Sequence, residues 1–223
     1  MGHQIYNSKF IINRLENIKL RDIEIKTAID IGANNGQWCS EFKSVFTNTE
    51  VLSIEAQQGC AEQLSKINPN YRIGLMGREN NEGIKFYYMS DGDVGASIYQ
   101  ESTQWGQNSQ WIMLPMITLD SLEQQYDWIK IDVQGAELDV LMGGIETMKQ
   151  AIIIELELSV MRYNKNSPIA SEVIHWMWES GFEMLDITEH IYIEENNDGV
   201  RKLAQFNALF LNNKYNHLLD VKG

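Results

Sequence analysis

Apolar and polar positions along this chain fall into blocks whose period changes, and the changes mark the elements. Lys9 to Leu20 puts Phe10, Ile11, Leu15 and Ile18 on one side of a helix, the pattern of an amphipathic lead-in lying on a core. A short apolar run, Ala28 to Ile31, stops at Gly32, and Gln37 to Phe46 then brings Trp38, Phe42, Val45 and Phe46 inward at helical spacing. Next come a strand over Glu50 to Ile54, a helix over Gln57 to Ile67 stopped by Asn68-Pro69-Asn70, and a strand over Tyr71 to Leu75. Gly83 to Met89 and Trp111 to Leu119 read as extended, and a short helical turn follows at Asp120-Ser121-Leu122. The second half predicts strands at Trp128 to Val133 and Ala151 to Leu158, with a helix from Ala136 to Met148 between them whose middle is weakened by Gly143-Gly144. Ser171 to Gly181 is helical, with Gly181 as its stop, and Phe182 opens another strand. Ile191-Tyr192-Ile193 and Phe206 to Leu211, separated by the turn-rich patch Glu194 to Gly199, predict an antiparallel closing pair.

Strands alternating with helices, several of them apolar on both faces, require a mostly parallel sheet covered on both sides. The fold class expected is therefore α/β, a doubly wound, Rossmann-like sheet with an antiparallel closing strand. At 223 residues the chain suits one such domain. It is expected over residues 27–212, after a helical lead-in over 1–26 and before a polar, frayed tail over 213–223. Ser90 to Gln110 is long for a connection, and reads either as a surface excursion or as a lid that orders over a ligand near the adenine.

The carboxyl ends of the parallel strands are where such a sheet binds ligands. The first strand ends in Asp30-Ile31-Gly32-Ala33-Asn34-Asn35-Gly36, a turn whose glycines allow close backbone approach ahead of a helix N-terminus. Glu55 follows roughly 20 residues later, where a carboxylate can accept both ribose hydroxyls. The turn departs from G-x-G-x-x-G and opens with an acid. Asp30 disfavours a pyrophosphate and favours a cationic amino or sulfonium group, which points to S-adenosylmethionine rather than NAD. At the next strand ends stand Asp132, the first candidate for handling an acceptor hydroxyl, and Glu155, a carboxylate in an apolar run that either lines the site or has a dedicated partner. Glu137 reads as a structural first-turn acid, and His190 is a rival base. Carboxylates at strand ends permit a divalent metal without the spacing that would demand one, so the metal question stays open.

Charge narrows the classes further. A net charge of −13 and a sequence pI near 4.7, with no Lys/Arg cluster, oppose binding to nucleic acid. Cys39 and Cys60 match no metal spacing, no disulfide is expected, and neither a signal peptide nor a membrane span is apparent. The expectation is a soluble cytoplasmic protein, and the sequence sets no oligomeric state.

Five blocks in order resemble the FkbM-type methyltransferases: Asp30 to Gly36; Ser53-Ile54-Glu55-Ala56; Thr118-Leu119-Asp120-Ser121-Leu122; Lys130 to Glu137 with Val140-Leu141-Met142-Gly143-Gly144; and Ile154-Glu155. The resemblance runs from about Thr27 to Leu158, with a weaker echo over Gln205 to Phe210. It implies a class I S-adenosylmethionine-dependent methyltransferase acting on a hydroxyl of a small molecule or glycan, a sugar first among them. It also implies a donor-binding set of Gly32, Asn34, Gly36 and Glu55, to which Asp30, Ala33, Ala56 and Ser97 are added, and brings Asp132 and Glu155 towards the reacting end. Gln134 stands where many members carry Glu, and Asn207 where an acid is common. Tyr99, Trp105 and Tyr163 are candidates for stacking on a sugar face or for local packing. The alternatives are a noncatalytic binding module of the same fold and an NAD-dependent oxidoreductase.

Overall fold

Strand-forming runs of Ile, Val and Leu build the centre of the molecule. The computed structural model describes residues 23–90, 92–102, 106–194 and 201–218; the helix expected over Lys9 to Leu20, residues 195–199 of the turn-rich patch, and Trp105 lie outside the described residues. Strands β1 (Thr27–Ile31), β2 (Glu50–Glu55), β3 (Tyr71–Ile73), β7 (Trp128–Ile131), β8 (Ile153–Ser159), β9 (Phe182–Glu194) and β10 (Arg201–Asn212) form the main sheet in the order β3-β2-β1-β7-β8-β10-β9. The first five run parallel and β10 is antiparallel to both its neighbours, as the closing pair predicts. The strand order reverses between β1 and β7, which makes their carboxyl ends the switch point. A second, three-stranded sheet holds β4 (Leu75–Met76), β5 (Asn81–Tyr88) and β6 (Gln110–Ile117) in the order β4-β6-β5.

Alternation along the strands separates two cores. On one face Ile29, Ile31, Ile54, Ile129, Ile131, Ile154 and Leu156 pack with Val140 and Leu141 of helix α3 (Glu137–Met142) and with Val173 and Met177 of α5 (Ala170–Glu179). On the other, Ala28, Val51, Trp128 and Ile153 meet Cys39, Phe42 and Val45 of α1 (Gln37–Val45). There Phe42 meets the Trp128 ring edge-on at 5.2 Å. Two residues further along the same face the strands turn polar, and Ser53, Asp30, Lys130 and Glu155 lie side by side in register.

Three elements differ from the sequence pattern. The strand expected over Tyr71 to Leu75 divides at Gly74, β3 staying in the main sheet while β4 enters the second. The helix expected over Ala136 to Met148 breaks at Gly143-Gly144 into α3 and α4 (Ile145–Met148). A Cβ on Gly143 would lie 2.1 Å from the Gly77 carbonyl oxygen, so the glycine admits a neighbouring chain as well as weakening the helix. Asp120 then restarts the second half, its carboxylate accepting from the Glu146 and Thr147 backbone N–H groups. The start of the tail, expected to fray, forms a 3₁₀ turn over Asn213–Leu218. Helix α2 (Ala61–Ile67) completes the set, and no described helix is long and apolar enough to cross a membrane.

Candidate functional site

A cavity of about 470 Å³ opens over the carboxyl ends of β1, β2, β7 and β8, a volume suited to a nucleoside-sized ligand. The turn after β1 forms its floor. Gly32, at φ +83°, donates to the Ile54 carbonyl, and a Cβ there would lie 1.8 Å from the Asp132 carbonyl oxygen. Only glycine lets the turn pass this close to β7. Asn34 is also left-handed, at φ +45°, and its backbone N–H donates to Glu55 Oε2 at 2.8 Å, while Gln57 N–H donates to Oε1 at 2.8 Å. Both carboxylate oxygens are thus oriented by the backbone and keep lone pairs for a ligand. Burial raises the Glu55 carboxyl above its ordinary range, against the lowering effect of those N–H groups.

Asp30, Gly32, Ala33, Asn34, Glu55, Ala56, Ser97 and Asp132 all line the cavity. Gly36 is not among the lining residues. It caps α1 at φ +86°, where a Cβ would press on Leu64 at 3.0 Å, so it sets how α1 meets α2. Ser97 is held by reciprocal backbone hydrogen bonds with Tyr87, and Gln57 Nε2 donates to the Asp93 carbonyl, fastening the loop before it. Part of the stretch expected as excursion or lid is therefore a fixed wall.

Lys130 and Asp132 make the electrostatic centre. Lys130 is 3% exposed, and its Nζ lies 3.0 Å from Asp132 Oδ2. Burial opposes its charge, but Asp132, Glu155, Asp30 and Glu157 together hold it above its ordinary value. Burial likewise works against the Asp132 charge, yet Lys130 and the surrounding hydrogen bonds keep its carboxyl low and ionised. Asp30 is pushed up to about 7 by burial, against Lys130 and helped by the neighbouring carboxylates, and its Oδ2 has no partner. Glu157 is raised well above the usual range by burial and by the Asp132 charge.

Four residues singled out in the sequence occupy other places. Glu155 is 1% exposed and is not among the lining residues; its Oε2 accepts from the indoles of Trp38 at 3.1 Å and Trp128 at 3.2 Å. Of the two readings of Glu155, the dedicated partner is the one found. His190 stands exposed on β9 with its ring beside Tyr192, outside the lining set. Glu137 accepts from Val133 and Gly135 N–H on one oxygen and so frames the turn. Tyr99 donates to Asp139 at 2.7 Å, a local contact.

The residues missed by sequence reasoning are Lys130, Glu157, Glu189 and Gln205, all lining the cavity alongside Gln134 and Asn207. Gln134 and Gln205 both donate to Glu157 Oε2, and Asn207 Nδ2 donates to Glu189 at 2.8 Å. The signal was available in the period of two: Trp128, Lys130 and Asp132 share one face, as do Ile153, Glu155 and Glu157.

The site fits S-adenosylmethionine. A backbone cradle, an oriented acid and the partnerless buried Asp30 oxygen suit an adenosine bearing a cationic tail. It does not fit a divalent metal: Asp132 is engaged by Lys130 and Gln134, and among the described residues no three His, Cys, Asp or Glu side chains converge as ligands.

A model of the methyltransferase FkbM domain matches residues 30–184. No curated protein matches the chain in sequence. Among solved structures, methyltransferase FkbM from Methylobacillus flagellatus KT is similar with a TM-score of 0.50 and 12% identity, over 84% of this chain and 43% of that one; the chain thus spans less than half that relative's length. Precorrin-6y C5,15-methyltransferase from Geobacter metallireducens GS-15 is similar at a TM-score of 0.50 and 9% identity, over 95% and 93% of the two chains. At such identities the likeness is one of fold, the class I methyltransferase fold. The family match covers well over half of the residues and contains the turn, the Glu55 acid and the Lys130–Asp132 pair, so the chain belongs to the methyltransferase FkbM domain family.

Proposed function

We propose that this chain is an S-adenosylmethionine-dependent O-methyltransferase whose acceptor is a hydroxyl of a small molecule or glycan. The observation that carries the reading is the turn–acid pair, Asn34 N–H on Glu55 beside a Gly32 that only glycine can occupy. Asp30, Gly32, Ala33, Asn34, Glu55, Ala56 and Ser97 would hold the donor, with Gly36 positioning the helix behind them. When bound, S-adenosylmethionine supplies a methyl carbon on a sulfonium centre, which departs as a thioether when the acceptor oxygen attacks.

Asp132 sits at the rim, its side chain 29% exposed, and can accept the acceptor's hydroxyl hydrogen bond and then its proton. Holding two partners in line supplies about 7–11 kcal/mol and a positioned base about 10²–10⁴-fold, so one carboxylate is sufficient. Lys130 fixes where that carboxylate points, and Glu155, in register with Lys130, accepts from the Trp38 and Trp128 indoles. Acid-rich walls and the net charge of −13 support a non-nucleic-acid acceptor.

Calorimetric titration with S-adenosylhomocysteine, with NAD as control, tests the reading on wild type and on Glu55→Ala. Binding of the first alone, weakened by the substitution, is expected and would be followed by a glycoside screen with labelled donor. Failure to bind it removes the reading; binding without transfer across the screen favours the noncatalytic module.

A further inference from the structure

The acceptor end of the cavity is built to receive hydrogen-bond donors. Its amides turn their N–H₂ groups away from the open space and onto carboxylates: Gln134 donates to Asp132 and Glu157, Gln205 to Glu157, and Asn207 to Glu189. Carboxylate oxygens are left as acceptors for a ligand, and so is the Asn207 carbonyl, while the Gln134 carbonyl takes a long contact from Gln205. Asn207 is 7% exposed, lines the cavity, and its Oδ1 is buried without a partner. An orphan acceptor atom of this kind is costly to bury unless a ligand supplies the hydrogen.

Charge gives the second half of the inference. Lys130 is the sole lysine or arginine among the described lining residues, and it is already paired with Asp132. Glu41 and Glu189 also line this cavity, with no arginine and no second lysine among the described lining residues. A phosphate, sulfate or carboxylate brought against Glu189 and the Asn207 carbonyl would meet an acceptor and like charge, whereas an ammonium there would meet complementary groups at both.

We propose that the acceptor is an amine-bearing sugar, its protonated amine seated between Glu189 and the Asn207 carbonyl while the neighbouring hydroxyl faces Asp132. This rests on the methyltransferase reading and names the substrate class of that same site.

The test uses the full chain saturated with S-adenosylhomocysteine, so that donor binding is established before any acceptor is added. Four matched probes are titrated by calorimetry: a methyl glucosaminide, its N-acetyl counterpart, the neutral glucoside and the glucuronide. The glucosaminide is expected to bind at least about tenfold more tightly than the N-acetyl and neutral probes, and the glucuronide not to bind. Glu189→Gln keeps the hydrogen bond from Asn207 and removes the charge; it should erase the preference for the amine while S-adenosylhomocysteine binding is retained, which also reports that the variant is folded. Equal or tighter binding of the neutral or N-acetyl probe, binding of the glucuronide, silence from all four probes on a donor-loaded chain, or a preference surviving Glu189→Gln each overturns the proposal. Failure of S-adenosylhomocysteine to bind would instead fall on the methyltransferase reading.

Discussion

Lys130 Nζ and Asp132 Oδ2 lie 3.0 Å apart on the site face of the central sheet, the lysine only 3% exposed. Asp30 and Glu155 flank the lysine in register, so one buried cation stands among three carboxylates. Lys130→Met keeps most of the volume and leaves those carboxylates unbalanced. The expected loss is about 3–5 kcal/mol at neutral pH, the cost of breaking a buried pair from one side. Urea unfolding measures it; a loss below about 1 kcal/mol would mean the cation holds nothing together.

Asp132→Asn retains the shape and the ability to accept a hydrogen bond, and loses the proton acceptor. The turnover number on a screened acceptor should fall about 10²–10⁴-fold, with S-adenosylhomocysteine binding changed little. Equal losses in both would place Asp132 in donor binding instead.

The pH dependence of stability should run against the usual direction for carboxylates. Asp30 is pushed up to about 7 in the folded protein from an ordinary 3.8, chiefly by burial, so the folded state binds more protons than the unfolded one across that interval. Its contribution is full below the unfolded value and is lost as pH rises through 7. Burial also pushes Glu137 up to about 7, and it acts in the same sense. The melting temperature of the ligand-free protein should therefore fall between about pH 5 and pH 8, and Asp30→Asn should flatten that fall and raise stability at the alkaline end. A wild-type melting temperature that rises over the interval would contradict both assignments.

What the sequence could and could not reveal follows from the range of the interactions involved. The β1 turn, the Glu55 acid and the closing strand were legible because each is a local pattern: a glycine after an apolar run, an acid one strand later, two apolar runs around a turn. Glu155 and Glu157 were not separable, since both lie on the same face of β8 and only the third dimension shows that Trp38 and Trp128 cover the first. Lys130 was read as part of a motif and not as a charge, because its three carboxylates come from other strands or from beyond its own strand's end. The break at Gly143 depended on Gly77 arriving from far along the chain.

Glu137 gives a structural control for these site variants. One of its oxygens accepts the Val133 and Gly135 N–H groups at 3.1 and 3.0 Å, fixing the turn in which Gln134 sits at φ +54°. Glu137→Ala orphans both donors at about 1–3 kcal/mol each, whereas Glu137→Gln can retain them through its amide oxygen. The alanine variant should lose stability and activity together and the glutamine variant much less of either, as thermal melts and turnover would report.

Gly32→Ala asks whether the cradle tolerates a single methyl. The added Cβ would overlap the Asp132 carbonyl oxygen at 1.8 Å, and the residue is at φ +83°, where an L side chain is strained by about 1–3 kcal/mol before the overlap is counted. Backbone lies on both sides of the contact, so relief requires β1 and β7 to separate at the switch point. That movement would displace Asn34 from Glu55 and Asp132 from its place at the rim. Donor binding should be lost even where circular dichroism shows a folded chain. Gly36→Ala instead presses on the ends of Leu64 and Ile67 side chains and should cost stability while leaving measurable S-adenosylhomocysteine affinity. Comparable affinity in Gly32→Ala and wild type would show that the turn is not where the adenosine lies.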